Sequence, residues 1–348
     1  MRAVTMLDGT VSVDVVSDPV PAAGQALVRT HVCGMCASDQ HFLHSGRTIV
    51  ELSRKLGGPY AGVDLDRPFV PGHEFVGELI DYGTGSRRPI LPGRRVTSIP
   101  VMRQAGAYSI VGYSPDCPGG FGEYMLLDED YLLEVPAGLP DNLAAMTEPL
   151  AVGLEHARRG RPTSDDVALV IGCGAIGLGV VAGLKLMGIA PIIASDFHED
   201  RRDLAIRMGA HAAVDPRERS PFQGLSDVGS HLPTIIYECV GMPGMLQQII
   251  EGAAPEARIV MGGYCMEADH IYGFAAQNKR LTVHFAGGEQ PQDMELALRS
   301  IDEGKVDVAS WLGDTITLDK VAGALKQMSD PGAPVRTVVD PRLALPPI

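Results

Sequence analysis

Aromatic side chains are scarce in this 348-residue sequence, 5% in all with a single tryptophan, and no run of them marks a stacking platform for sugars. Cysteine is sparse too. Six thiols are too few for a disulfide framework, so they are expected free or metal-bound, in a reducing, cytoplasmic setting. No stretch of about 18 apolar residues occurs, which excludes a membrane-spanning helix. The opening residues lack the apolar run of a signal peptide. Basic residues are outnumbered: 29 Lys and Arg against 43 Asp and Glu give a formal charge of -14. Such a chain repels phosphate backbones, so nucleic acid is not expected as a partner, although a local basic pocket for one small phosphate ligand stays compatible. Against these shortages, apolar residues reach 45%, enough for a substantial core. The length suits two domains, and 41 glycines with 26 prolines predict many tight turns.

The first third has the texture of short strands. Residues 26–32 alternate between apolar and polar, 75–80 read as a second strand, 91–96 as a turn entering a third, and 119–127 as a glycine-led fourth. Residues 43–68 and 97–118 carry no period and read as loops. Past Pro162 the pattern changes. Residues 167–171 are continuously apolar, as a strand covered on both faces requires. Helical and strand-like runs then alternate through 285, which predicts a doubly wound, Rossmann-type α/β sheet. The tail holds helical patterns at 293–303 and 319–328 and a last strand at 335–339. The expected division is a β-rich domain of residues 1–150 and 288–348 around a cofactor domain of residues 151–287.

Gly172, Gly174 and Gly177 form G-x-G-x-x-G, with Ala175 and Ile176 inside it. The pattern follows a predicted buried strand and opens a predicted helix. Gly172 permits the tight turn, Gly174 lets a pyrophosphate approach the backbone, and Gly177 lets helix and strand pack closely. The helix N-terminus offers free N–H groups and partial positive charge. Asp196 lies at the end of the next strand, where it can bind both adenosine ribose hydroxyls and repel a 2′-phosphate. NAD is therefore favoured over NADP. A glycine-rich turn without a ligand is the alternative reading.

A second concentration of chemistry runs from Cys33 through Cys36, Ser38, Asp39 and His41. A C-x-x-C suggests a redox pair or half of a four-cysteine zinc site, but no second C-x-x-C exists. His73 and Glu74 follow a turn at Pro71 and Gly72, and Glu148 stands just before the α/β half. Cys, His and Glu from three segments can make a zinc site that keeps a position open for substrate. Lone Cys and His are otherwise ordinary core residues.

Cys36, Ser38, Asp39 and His41, then Gly72-His73-Glu74, then Glu148-Pro149-Leu150, then the Gly172 fingerprint, stand in the order found in zinc-dependent medium-chain alcohol dehydrogenases. The sequence resembles that family over nearly its whole length, and its Glu-Pro-Leu segment resembles the sorbitol and threonine dehydrogenase branch. The resemblance implies a GroES-like catalytic domain beside the Rossmann domain, one catalytic zinc per chain, NAD, and a small alcohol or ketone as substrate. It implies that Cys36 and His73 ligate zinc directly and that Glu74 and Glu148 complete the site, directly or through water. Ser38 receives the substrate proton, His41 continues a relay toward solvent, and Asp39 fixes the ring of His73 by a hydrogen bond. Arg201 flanks the adenosine ribose and Arg336 reaches the pyrophosphate; a solvated surface charge is the plainer reading of both arginines. Cys33 is not a ligand. A homodimer or homotetramer is implied as well.

Two departures from the family stand out. Relatives often hold a structural zinc on four cysteines in the loop that is 97–118 here, where only Cys117 remains. One thiol cannot hold such a site, so no structural zinc is expected, and packing or subunit contacts must order the loop. The stretch between His41 and His73 is also longer than usual, and residues 49–66 look inserted beside the substrate cleft. The expected chemistry is reversible hydride transfer between a secondary alcohol or polyol and NAD. The alternatives are a ketone or activated double-bond reductase of the same superfamily, and a catalytically silent cofactor-binding protein.

Overall fold

A computed structural model describes residues 1–86, 88–104, 107–223, 232–328, 330 and 332–343. The chain forms two compact units, Met1–Glu148 with Leu298–Glu303 and Trp311–Ile348, and Pro149–Ala297 with Gly304–Ser310. The first unit opens with the hairpin β1 (Arg2–Leu7) and β2 (Thr10–Val15), then β3 (Gln25–Gly34), α1 (Ala37–Leu56), β4 (Glu74–Tyr82), β5 (Arg95–Ser98), β6 (Val101–Gln104), β7 (Ala107–Ile110), β8 (Tyr124–Asp128), β9 (Leu132–Glu134) and α2 (Asp141–Ala144). After α3 (Thr147–Arg159) the second unit runs β10 (Ala168–Ile171), α4 (Ala175–Leu186), β11 (Ile192–Ser195), α5 (Glu199–Met208), β12 (Ala212–Val214), β13 (Ile235–Glu238), α6 (Met245–Gly252), β14 (Arg258–Met261), α7 (Gly273–Asn278), β15 (Thr282–Phe285) and α8 (Pro291–Asp302). The chain then supplies β16 (Leu312–Ile316), α9 (Val321–Gln327) and β17 (Arg336–Val339) to the first unit.

The main sheet of the first unit is built around β3. Its residues 26–34 pair antiparallel with β4, its first half pairs with β8, and Cys33 and Gly34 at its end pair with β17. The second unit holds a parallel sheet in the order β12-β11-β10-β13-β14-β15. Strands β10, β11 and β13 are buried at every residue, which explains their unbroken apolar sequence. Strand order reverses on either side of β10, and the crevice beyond the carboxyl ends of strands at such a reversal is where ligands bind in these sheets. Leu169, Ile193, Ile236, Ile249 and Ile259 form the core between one face of the sheet and its helices. Among the described residues, no helix is long and apolar enough to cross a membrane.

Three expectations need correction. Residues 43–56 are helix rather than loop, because α1 continues past a kink at Ser45 (φ -132°, ψ 16°) that interrupts the helical period. Part of 97–118 is strand, the ends of a hairpin being β6 and β7. The return to the first unit also comes later than residue 288: β15 completes the parallel sheet, and Asp293 of α8 pairs with Arg158 at 2.9 Å, which ties the start of that helix to the second unit.

Candidate active site

Strand register brings the polar residues of the first unit together. Gly34 at the end of β3 faces Glu74 at the start of β4, and Met35 N–H donates to Thr337 of β17 at 2.9 Å. Cys36 just beyond β3, His73 just before β4 and Arg336 at the head of β17 therefore converge. A side chain on Gly34 would push the Glu74 carboxylate out of its present place. Cys36 also caps α1: its N–H donates to Asp39 Oδ2 at 2.9 Å, and its carbonyl accepts from Asp39 N–H at 3.0 Å. That cap turns Ser38 and Asp39 toward His73.

Among the described residues, Cys36, His73 and Glu74 form the one cluster of three candidate metal ligands, their ligand atoms all within 4.8 Å of one another. His73 is buried. Its Nε2 lies 3.5 Å from Ser38 Oγ, and its Nδ1 faces the hydroxyl of Tyr113 at 3.1 Å. Burial disfavours the charged ring, yet Asp39 and Cys36 outweigh it and push the imidazole well above its ordinary value. Asp39 was expected to bond this ring directly, but its Oδ1 is 3.7 Å from Nδ1, beyond hydrogen-bond range. The Tyr113 hydroxyl occupies the gap, 3.1 Å from Asp39 Oδ1 and 2.8 Å from Ser38 Oγ. Burial, with the charges of Asp39 and Cys36, pushes this phenol well above its usual value, so it is a neutral donor near pH 7.

Arg336 takes a different place from the one expected. Rather than standing free for a pyrophosphate, it is buried against Glu74, with Nε 2.9 Å from Oε2 and Nη2 2.9 Å from Oε1. Its Nη1 donates to its own neighbour's carbonyl, Val335 O, at 3.1 Å, and Nη2 lies 3.8 Å from Cys36 Sγ. Burial opposes its charge, but Glu74, Cys36 and Glu148 overcome that and raise its pKa. Glu148 is buried at the start of α3 and is not among the three clustered ligands. His41 lies three residues beyond Ser38 on α1. Burial, then His44, holds its imidazole below the ordinary value. Cys33 is fully buried and lies outside the cluster, and burial above all raises its thiol pKa.

In the second unit, Gly172 adopts φ +90°, where a Cβ would press on Val240 at 2.8 Å. A Cβ on Gly177 would collide with the Gly172 carbonyl, so the close turn depends on both glycines. Gly174 caps α4, which begins at Ala175 with Ile176 half-buried beside it. A Cβ on Gly174 would meet only Arg201, at 3.6 Å. Asp196 follows β11; its Oδ2 accepts from Cys173 N–H at 2.8 Å and its Oδ1 from His198 N–H at 2.9 Å. A cavity of about 620 Å³ opens there, lined by Gly172, Asp196, Phe197, Arg217, Val240 and Met245 among others. Its size is that of a small-molecule site.

Sequence reasoning missed Tyr113. Nothing local marks it; the one signal was a loop that had lost its cysteines and still had to be ordered.

Comparison with known proteins gives the family. Residues 22–137 match the alcohol dehydrogenase GroES-like domain, and residues 175–303 the zinc-binding dehydrogenase domain. The chain belongs to the zinc-type medium-chain dehydrogenase family and is a dehydrogenase. It is 26% identical over 321 residues to the starvation-sensing protein RspB of Escherichia coli, covering 88% of this chain and 89% of that one. It is 29% identical over 250 residues to the (R,R)-butanediol dehydrogenase of Bacillus subtilis, covering 69% and 70%. The crystal structure of 2R,3R-butanediol dehydrogenase from Bacillus subtilis superposes with a TM-score of 0.81 at 25% identity, over 98% of this chain and 99% of that one.

Proposed function

We propose that the chain oxidises a secondary alcohol or polyol reversibly with NAD, at a zinc held by Cys36 and His73 and completed by Glu74 and Glu148. The observation that carries this reading is the thiol–imidazole–carboxylate cluster with Ser38 at its edge. The donor set suits zinc: a sulfur and a ring nitrogen are its preferred ligands, and His73 Nε2 has only a long 3.5 Å contact to Ser38 Oγ to give up to the ion, while Nδ1 is engaged by Tyr113 at 3.1 Å. NAD follows from Asp196, whose fixed carboxylate accepts from ribose hydroxyls and repels a 2′-phosphate.

When bound, zinc supplies the Lewis acidity that eases loss of the alcohol proton, and NAD supplies the hydride acceptor. The chain does the rest. Ser38 Oγ accepts the proton of the substrate hydroxyl and gives up its own. His41, uncharged at neutral pH and one turn along α1, takes it outward. Gly172, Gly174 and the N–H groups opening α4 seat the pyrophosphate, with Arg201 beside the ribose.

The test is zinc analysis of the purified protein together with NADH formation over a panel of secondary alcohols and polyols. Near-stoichiometric zinc and chelator-sensitive turnover are expected; full activity without metal would overturn the reading. Asp196→Asn removes the charge that excludes a 2′-phosphate. NAD preference, measured as the ratio of kcat/KM values, should fall by about 10–100-fold, the worth of one charged hydrogen bond. An unchanged ratio removes Asp196 from the cofactor role. We also propose that the chain assembles as a homodimer or homotetramer through the exposed edge of the parallel sheet.

A further inference from the structure

We propose that the Tyr113 hydroxyl is the positioning group of the metal centre, holding the ring of His73 and the hydroxyl of Ser38 in one hydrogen-bonded unit with Asp39. This rests on the reading that His73 binds the metal through Nε2. A ring that ligates through Nε2 carries its proton on Nδ1, and that N–H needs an acceptor to fix the tautomer and the ring plane. The acceptor within reach is Tyr113, at 3.1 Å, since Asp39 stands back at 3.7 Å. The phenol shares its own proton between Ser38 Oγ at 2.8 Å and Asp39 Oδ1 at 3.1 Å. One oxygen thus orients a ligand and the group that receives the substrate proton.

Two independent features hold that oxygen still. The ring of Tyr113 stacks on Phe42 of α1, centroids 4.2 Å apart and planes 19° off parallel, and Tyr60 meets it edge-on at 6.0 Å. Tyr60 lies within residues 49–66, the stretch that looks inserted, so a function of that stretch is to buttress Tyr113. The loop around Tyr113 is fastened to the turn before His73 by backbone hydrogen bonds, with Arg67 paired to Asp116 at 3.0 Å beside them. Gly119 N–H donates to Val70 O at 2.8 Å, Gly120 N–H to Gly72 O at 2.8 Å and Phe121 N–H to Pro71 O at 2.9 Å. A Cβ on Gly112 would lie 2.8 Å from the Gly72 carbonyl, and one on Gly119 would collide with it. Where the family often uses four cysteines, this chain packs glycine on glycine and delivers a tyrosine to the catalytic centre.

The decisive variant is Tyr113→Phe, which keeps the ring and removes the oxygen. Zinc affinity of the full chain, measured by competition with a chromophoric chelator, should fall about 10–100-fold, the usual cost of losing a group that orients a ligand. The visible bands of the cobalt-loaded protein should shift, while the unfolding midpoint of the metal-free protein stays close to the parent value. Unchanged affinity and cobalt bands would overturn the proposal, as would a fall in affinity matched by a collapse of the metal-free fold. A reading that needs no variant is the nitrogen-15 histidine spectrum of the zinc-loaded parent, which should show His73 metallated at Nε2 and protonated at Nδ1. Ligation through Nδ1 would sink the idea. A parent chain that binds neither ion defeats the metal centre itself, whereas a parent that binds normally beside an indistinguishable Tyr113→Phe defeats only the role of Tyr113.

Discussion

Arg336 and Glu74 meet across 262 positions of sequence, both buried, with three close nitrogen–oxygen contacts between them. Removing one partner strands the other charge in the interior, which costs far more than the pair contributes. Arg336→Met is therefore expected to lower unfolding free energy by about 3–5 kcal/mol, read from denaturant titration of the metal-free protein. Combining it with Glu74→Gln should restore much of the loss; a double variant no better than the single would show that packing, not charge, is at stake. The same pair marks the limit of reading residues from sequence. Cys36, Ser38 and Asp39 were legible because a helix cap packs their chemistry into one turn. His73 and Glu74 were legible from the turn that precedes them. Arg336 and Tyr113 take their roles from partners far away in sequence, and no local spacing encodes such meetings.

At the level of elements, helix α1 shows why a pattern can fail while the element exists. Its buried residues Asp39, Phe42, Gly46, Ile49, Val50 and Ser53 follow helical spacing, but the kink at Ser45 and a glycine inside it blunt the signal. The loop after β7 has the opposite character: its sequence has no period because backbone contacts, not side-chain periodicity, order it. Gly119→Ala should cost about 1–3 kcal/mol by overpacking and weaken zinc binding, since the displaced carbonyl is that of Gly72, next to His73. Gly62→Ala, where a Cβ meets nothing within 4 Å, serves as the control. The parallel sheet carries a pH-sensitive tie. Asp166 at the foot of β10 accepts from Thr163 N–H at 2.7 Å and Thr234 Oγ1 at 2.7 Å, and pairs with Arg258 of β14. Burial works against its ionisation, but Arg258 above all, with Thr163 and Thr234, brings the carboxyl down to about 2. A folded value below the unfolded one, about 3.9, stabilises the sheet at pH above about 4, by about 2–3 kcal/mol, and this is lost as pH falls toward 2. Asp166→Asn should flatten that part of the acid-unfolding curve; an unaltered curve would remove Asp166 as its source.

For the whole molecule, the alternation of apolar runs and helical patterns was enough to read the doubly wound sheet, because strands covered on both faces must be continuously apolar. Strand β15 is different. It closes one edge of the sheet, and its burial is partial at best, with Phe285 75% exposed. The segment before it exposes Tyr272 and Phe274 at 76% and 81%. A net charge of -14 disfavours close approach of a second copy, so the proposed assembly requires a contact where apolar surface offsets the repulsion. The outer edge of β15, unpaired among the described residues and carrying large apolar side chains, meets that condition, because two copies related by a two-fold axis can pair β15 against β15 and bury the same residues twice. Phe285→Glu places like charges across that axis. Light scattering at micromolar concentration should then report a monomer for the variant and a dimer or tetramer for the parent, with circular dichroism of the two alike. If the variant keeps the parent's mass, the edge of β15 is not the joint. If the parent itself runs as a monomer, the proposed assembly is refuted.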